Sequence, residues 1–242
     1  MTVVEKNDSL SGLATLDGAT FLVNKPKGWT SFDVVKKLRY ALKKVYGRKK
    51  YKVGHAGTLD PLATGLLIIC SGKHTKRINE FQGMTKEYLG EVRLGATTQS
   101  YDAEYPEENI QSTDHITSQL VERTFSSYLG TIKQLPPMFS ALKKGGKKLY
   151  ELAREGQTVE RKSRTIEILD LTIKEFDNPY ITFTMKCSKG TYVRSFAFDV
   201  GQDLGVGGYL SQLERVAIGA FSTSRAFDVQ ELFDLLMQVA ED

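Results

Sequence analysis

Cysteine is nearly missing from this 242-residue sequence, which has only Cys70 and Cys187. Both sit in or beside apolar, strand-like runs, so they read as small core residues of a protein kept in a reducing compartment, and the cytoplasm is the expected location. They provide neither a disulfide framework nor a zinc site. The three histidines, His55, His74 and His115, have no metal-ligand spacing, so no metal centre is expected. The longest apolar run, Leu66–Cys70, is far too short to cross a bilayer, and no membrane association is expected. The N-terminus lacks the charged start and apolar run of a signal peptide. Two glycine-bearing segments fail as nucleotide motifs. "CSGKHT" has Leu67 where a phosphate loop needs its first glycine and His74 where it needs Ser or Thr. "GVGGYL" has Leu210 in place of the last glycine of a dinucleotide turn. No Gly-x-Ser-x-Gly elbow is present.

Charge is ordinary in total and uneven in placement. Lys plus Arg number 33 against 29 acids, a net charge of +4. Three runs contain no acid: residues 43–52 ("KKVYGRKKYK"), 143–148 ("KKGGKK") and 161–164 ("RKSR"). The acids gather elsewhere, as in "YDAEYPEE". Each basic run alone reads as a solvated face, but three that converge would suit a polyanion.

Residues before about Leu13 look like a frayed leader. "ATFLVNKP" reads as a short buried strand ending in a Pro-Gly turn. Thr30 or Ser31 then caps an amphipathic helix over 31–46, with Val35, Leu38, Leu42 and Val45 on one face. "TGLLIICS" reads as a buried strand and "KHTKRINEF" as a short helix with Ile78 and Phe81 inward. "KEYLGEVRLG" alternates, placing Tyr88, Gly90, Val92 and Leu94 on one face. Residues 98–114 read as a loop. Residues 116–129 read as a helix with Leu120, Val121, Phe125 and Leu129 inward. "KKLYELAREG" is a helix closed by Gly156. The strands "RTIEILDLTIKEF" and "YITFTMKCS", the helix "TYVRSFAFDVGQDLG", the strand "ERVAIGAF" and a terminal helix complete the pattern. Few successive strands have βαβ spacing, so the expected class is α+β with a mixed, mainly antiparallel sheet and flanking helices.

One stretch, "GHAGTLDPLATG", combines a single carboxylate with a stiff frame. Gly54 and Gly57 free the backbone for turns and close approach, and Pro61 biases Asp60 toward an extended conformation. Such a frame can aim one side chain, as a nucleophile requires, but the local residues alone favour a plain Asp-Pro turn. The segment resembles the catalytic motif of the bacterial TruB family of tRNA pseudouridine-55 synthases. Four more segments resemble that family in its order: "VNKPKGWTSFDVV", "KEYLGEVRLG", "QLPPMFSALKKGGKKLYELAREG" and "CSKGTYVRSFAFDVGQDLG".

The resemblance implies the pseudouridine synthase fold and an enzyme that isomerises uridine 55 in the T stem-loop of tRNA by base flipping. Asp60 falls on the catalytic aspartate, Arg194 on the arginine that pairs with it, and Tyr88 on the tyrosine that stacks on the base. His55 falls on the histidine that wedges into the RNA loop. Lys25, Lys76 and Tyr192 match positions lining the site, and Gly57, Thr58 and Leu59 belong to the substrate-binding motif. The reaction conserves atoms, so no cofactor is implied. The resemblance also implies an RNA-gripping insertion at about 135–164, within a single catalytic domain over 13–242. Residues 43–52 look longer and more basic than in many relatives, an added RNA contact. No room is left for the C-terminal PUA domain that many relatives carry, and a monomer is expected. The competing readings are an RNA-binding or RNA-folding protein without catalysis, and the same isomerisation on another RNA.

Overall fold

The computed structural model describes residues 3–241. The chain divides into two compact units, residues 1–88 with 214–242, and residues 89–213. The first begins with β1 (Val3–Val4), β2 (Thr20–Lys25), α1 (Ser31–Val45), β3 (Val53–His55), β4 (Thr64–Ser71), a 3-10 turn over 72–77 and α2 (Ile78–Gly83). Strand β5 (Lys86–Leu94) leads into the second unit, which holds α3 (Ser118–Ser126), β6 (Gly130–Gln134), β7 (Lys143–Lys144), β8 (Lys147–Lys148), α4 (Leu149–Arg154), β9 (Arg164–Asp177), β10 (Tyr180–Cys187) and α5 (Val193–Asp203). Strand β11 (Gly208–Ile218) leads back to the first unit, followed by β12 (Phe221–Ser222), β13 (Phe227–Asp228) and α6 (Val229–Val239).

In the first unit β4 is central. It runs antiparallel to β2, from Thr20↔Cys70 to Lys25↔Gly65, and to β3, and parallel to β11 at Arg215↔Gly65. β1 and β13 add to β2 in parallel. In the second unit the order is β5-β10-β9-β6, with β9 antiparallel to both neighbours. The class is therefore α+β with a mixed sheet, as the strand spacing predicts.

The first core follows from helix and strand periods. Thr30 caps α1 by accepting from Asp33 N, and the Asp33 side chain returns the bond in a capping box. The apolar stripe of α1, including Val34, Leu38 and Leu42, packs with Phe21 and Val23 of β2, Leu67 and Ile69 of β4, and Leu232 and Leu236 of α6. The alternate residues Leu22, Leu66, Ile68 and Cys70 face the other way, against Phe81 and Ile218. Each large apolar side chain fully buried contributes about 1.5–3 kcal/mol.

Three expectations change. The segment before Leu13 is not a frayed leader over its described length: Val3 and Val4 pair with Thr20 and Phe21, and Val4, Leu10 and Leu13 are buried. The edge of β2 offered an unpaired ladder, and these apolar residues had somewhere to go. Helix α3 starts at Ser118 under a Thr117 cap, and Leu120 and Leu129 are exposed. Its inward residues are Val121 and Phe125, with Tyr128 just beyond the helix, because Phe125 meets Phe183 and Phe196 edge-on. The helix expected over "KKLYELAREG" begins only at Leu149, because Lys147 and Lys148 belong to a hairpin, Lys143↔Lys148 and Lys144↔Lys147. Gly145 and Gly146 both have positive φ, 60° and 85°, as its two-residue turn demands.

Candidate active site

Asp60 lies on the loop between β3 and β4. Ala63 N donates to Asp60 O at 3.1 Å, closing a turn with Pro61 at its second position. The neighbouring backbone carbonyls are held by groups from three other elements of the same unit. Arg215 of β11, 1% exposed, donates through Nη2 to Gly57 O (3.1 Å), through Nη1 to Thr58 O (3.3 Å) and through Nε to Leu66 O (2.8 Å). Ser31, in the first turn of α1, accepts from Leu59 N at 2.9 Å and donates to Leu59 O at 3.1 Å. Lys25, at the end of β2, donates from Nζ to Pro61 O at 3.3 Å, and Gly28 N donates to the same oxygen at 2.8 Å. Gly65 has φ of +100°, and a Cβ there would lie 2.4 Å from Arg215 O, so only glycine lets β11 come close enough to deliver the guanidinium.

Lys25 is fully buried, and its other bonds go to Pro26 O (2.9 Å) and Trp29 O (2.7 Å). Burial pushes its pKa down to about 8, opposed by the Asp60 carboxylate, so it remains an ammonium at neutral pH. Three carbonyls take its three donors. Lys25 thus braces the Asp60 loop from beneath. Lys25→Met is expected to lower unfolding stability by about 2–4 kcal/mol, since it leaves carbonyls without a donor. The salt slope of RNA binding is expected not to change. Urea denaturation and a salt titration check the two halves; a reduced slope with unchanged stability would reverse the assignment.

Leu59 is 4% exposed, so its side chain anchors the loop, whereas Thr58 is exposed. Gly57 has φ of +107°. His55 is half-buried at the end of β3. Burial holds its pKa below the ordinary value, so its ring is neutral at pH 7. The Gly57 backbone, hydrogen-bonded to the ring, opposes this shift. Lys76 is exposed on the 3-10 turn. Tyr88 lies in β5, 8% exposed, on the face shared with Gly90, Val92 and Leu94.

The second unit holds Arg194 in the first turn of α5, 5% exposed. Its Nη1 donates to Ser100 O at 2.9 Å and its Nη2 to Phe139 O at 2.8 Å, and Nε lies 3.5 Å from Asp102 Oδ2. Asp102 is itself fixed: its Oδ1 accepts from Ser100 Oγ and from Glu104 N. Gln134, 1% exposed, clasps the Tyr192 backbone from both sides, accepting from Tyr192 N at 2.8 Å and donating to Tyr192 O at 3.0 Å. Arg164 stands over the Tyr192 ring, 5.3 Å from its centroid. The start of α5 is therefore set against residues 134–139, and Arg194 is oriented before any substrate arrives. Sequence reading missed Asp102, Arg215 and Ser31. Arg215 left one signal, a lone cation in the apolar strand "ERVAIGAF"; Asp102 was one acid among several in its loop.

The architecture matches chains of two solved complexes. A chain of a crystallised Cbf5–Nop10–Gar1 complex superimposes with a TM-score of 0.70 at 23% identity, over 94% of this chain and 60% of that one. A chain of the archaeal box H/ACA sRNP Nop10–Cbf5 complex gives 0.66 at 21%, over 97% and 61%. The two units thus carry the pseudouridine synthase fold. Residues 43–193 match the model of the TruB family pseudouridylate synthase N-terminal domain, and the chain belongs to this family. The tRNA pseudouridine synthase B of Parabacteroides distasonis is 50% identical over 221 residues, 91% of this chain and 94% of that protein. Its namesake in Flavobacterium johnsoniae is 48% identical over 224 residues, 92% and 97%. Among the described residues no helix is long and apolar enough to cross a membrane.

Proposed function

We propose that this enzyme isomerises uridine in tRNA to pseudouridine and that its target is position 55 of the T stem-loop. The observation that carries the reading is the Asp60 loop, whose carbonyls at 57, 58, 59 and 61 are all held by Arg215, Ser31 and Lys25. A loop so held keeps one carboxylate in one place, which suits a nucleophile and leaves no reorganisation for the moment of reaction.

The reaction breaks the N1–C1′ bond, turns the uracil and forms a C5–C1′ bond. The C5 proton is lost and N1 gains one, so atoms and electrons balance without a cofactor. Asp60 acts as the carboxylate that permits base departure. Arg194 is the cation that the family resemblance assigns to the Asp60 carboxylate. Tyr88 stacks on the base and takes the C5 proton. The base must first leave its stack at a cost of about a few kcal/mol, and the neutral ring of His55 fills the vacated space. By the same resemblance Tyr192, Gly57, Thr58 and Lys76 are substrate-binding residues. All of these groups come from one chain, which supports a monomer as the active species, and tRNA as substrate supports a cytoplasmic location.

The test is to incubate an unmodified tRNA transcript with the enzyme and map pseudouridine by carbodiimide adducts that stop reverse transcription. A stop at position 55, absent when uridine 55 is replaced by cytidine, is expected. A stop elsewhere would overturn the assigned target.

A further inference from the structure

The charge of the chain is concentrated in one segment. The 26 residues from Val34 to Leu59 contain nine lysines and arginines and no acid, leaving 24 of the 33 basic residues against all 29 acids elsewhere. The structure folds this segment into a groove of about 540 Å³ in the first unit. Its basic lining is Arg39 and Lys43 of α1 with Lys49, Lys50 and Lys52 of the following loop, and Thr75 and Ile78 form part of its opposite wall. None of the lining residues is acidic. Among the described residues none of the five cations is in a salt bridge, whereas nearby Lys73 and Arg77 are paired with Asp17 and Glu80.

The groove is preformed. Tyr46 and Tyr51 stack at 4.4 Å and fasten the loop to the end of α1. Gly72 N donates to Lys52 O at 2.8 Å, Arg48 N to Lys43 O at 2.9 Å, and Arg39 Nη2 to Val53 O at 3.0 Å. Like charges held together without acids oppose one another, and the fold tolerates this arrangement at a cost that a polyanion would remove. The groove is also continuous with the reactive loop. Val53 and Gly54 line it, His55 is the next residue, and Asp60 follows within about 20 Å of extended chain.

We propose that this groove is a second RNA site, which holds the phosphate backbone of the substrate strand beside the flipped uridine. This rests on the reading that the enzyme acts on RNA. Four of the five cations are lysines, mobile point charges suited to phosphates of any sequence, so the groove adds affinity and register and not base selectivity.

The test uses Lys49→Gln/Lys50→Gln, both exposed in the wild type, and a control of equal charge, Lys6→Gln/Lys174→Gln. Binding to whole tRNA and to the isolated T stem-loop is measured across a salt series, with circular dichroism melting to confirm folding. The groove variant is expected to bind both RNAs about 10-fold more weakly at 0.1 M salt. Its log–log salt slope is expected to fall by about 1.4–1.8, the loss of two phosphate contacts. Affinity and slope equal to the control would overturn the proposal. Weakened binding of whole tRNA with an unaffected stem-loop would overturn the placement beside the target. Failure of the catalytic reading looks different: groove-dependent binding by a wild type that makes no pseudouridine.

Discussion

Asp60→Asn is expected to abolish product formation, a loss on the order of 10⁴-fold or more, while tRNA binding stays within about twofold of wild type. The amide has nearly the same shape as the carboxylate but cannot act as an anionic nucleophile. The fold gives a reason to expect selective damage. The loop is held through its backbone, by Arg215 on Gly57 and Thr58, by Ser31 on Leu59 and by Lys25 on Pro61. Exchanging the side chain at 60 leaves these bonds in place. Single-turnover rates and equilibrium binding on the same tRNA separate the two effects. Turnover within about tenfold of wild type would remove Asp60 from the chemistry.

Arg194→Lys is expected to cost about 10²–10³ in single-turnover rate and about 3 kcal/mol or more in stability. A guanidinium reaches Ser100 O, Phe139 O and the Asp102 carboxylate at once because its donors are spread over a rigid plane. A lysine ammonium concentrates its donors at one point and cannot span the three. Asp102 would then be a buried carboxylate whose counter-ion has moved. Asp102→Asn should therefore lower the rate in the same direction, and the double variant should lose less than the two single losses combined. Denaturant midpoints and single-turnover rates check this. Independent, additive losses would contradict a coupled Arg194–Asp102 pair.

Local pattern made much of this legible. The stripe in α1, the alternation in β5 and the capping pair Thr30 and Asp33 are short-range signals, and the structure follows them. The turn at Asp60 was legible because the glycines and Pro61 that shape it are contiguous. What reading the chain could not supply was support over long separations. Arg215 reaches Gly57 from 158 positions away and Arg194 reaches Ser100 from 94. Neither bond leaves a trace in spacing. Lys25 shows the same limit from the other side. The sequence marks Lys25 only by its match to a position lining the family's site, and its burial and three carbonyl partners are visible only in the structure. The offset in α3 has a similar origin: Leu120 satisfies helical spacing, but the aromatic cluster around Phe183 and Phe196 chose Val121 and Phe125.

The central claim is that this chain exchanges the C5 hydrogen of one tRNA uridine for a bond to C1′. It is tested most directly by tritium release from a transcript labelled at C5 of its uridines. With excess wild-type enzyme, one equivalent of tritium per tRNA should enter water, and none should do so when position 55 is cytidine. No release above background from the uridine-55 transcript, with the RNA shown to be bound, would contradict the account.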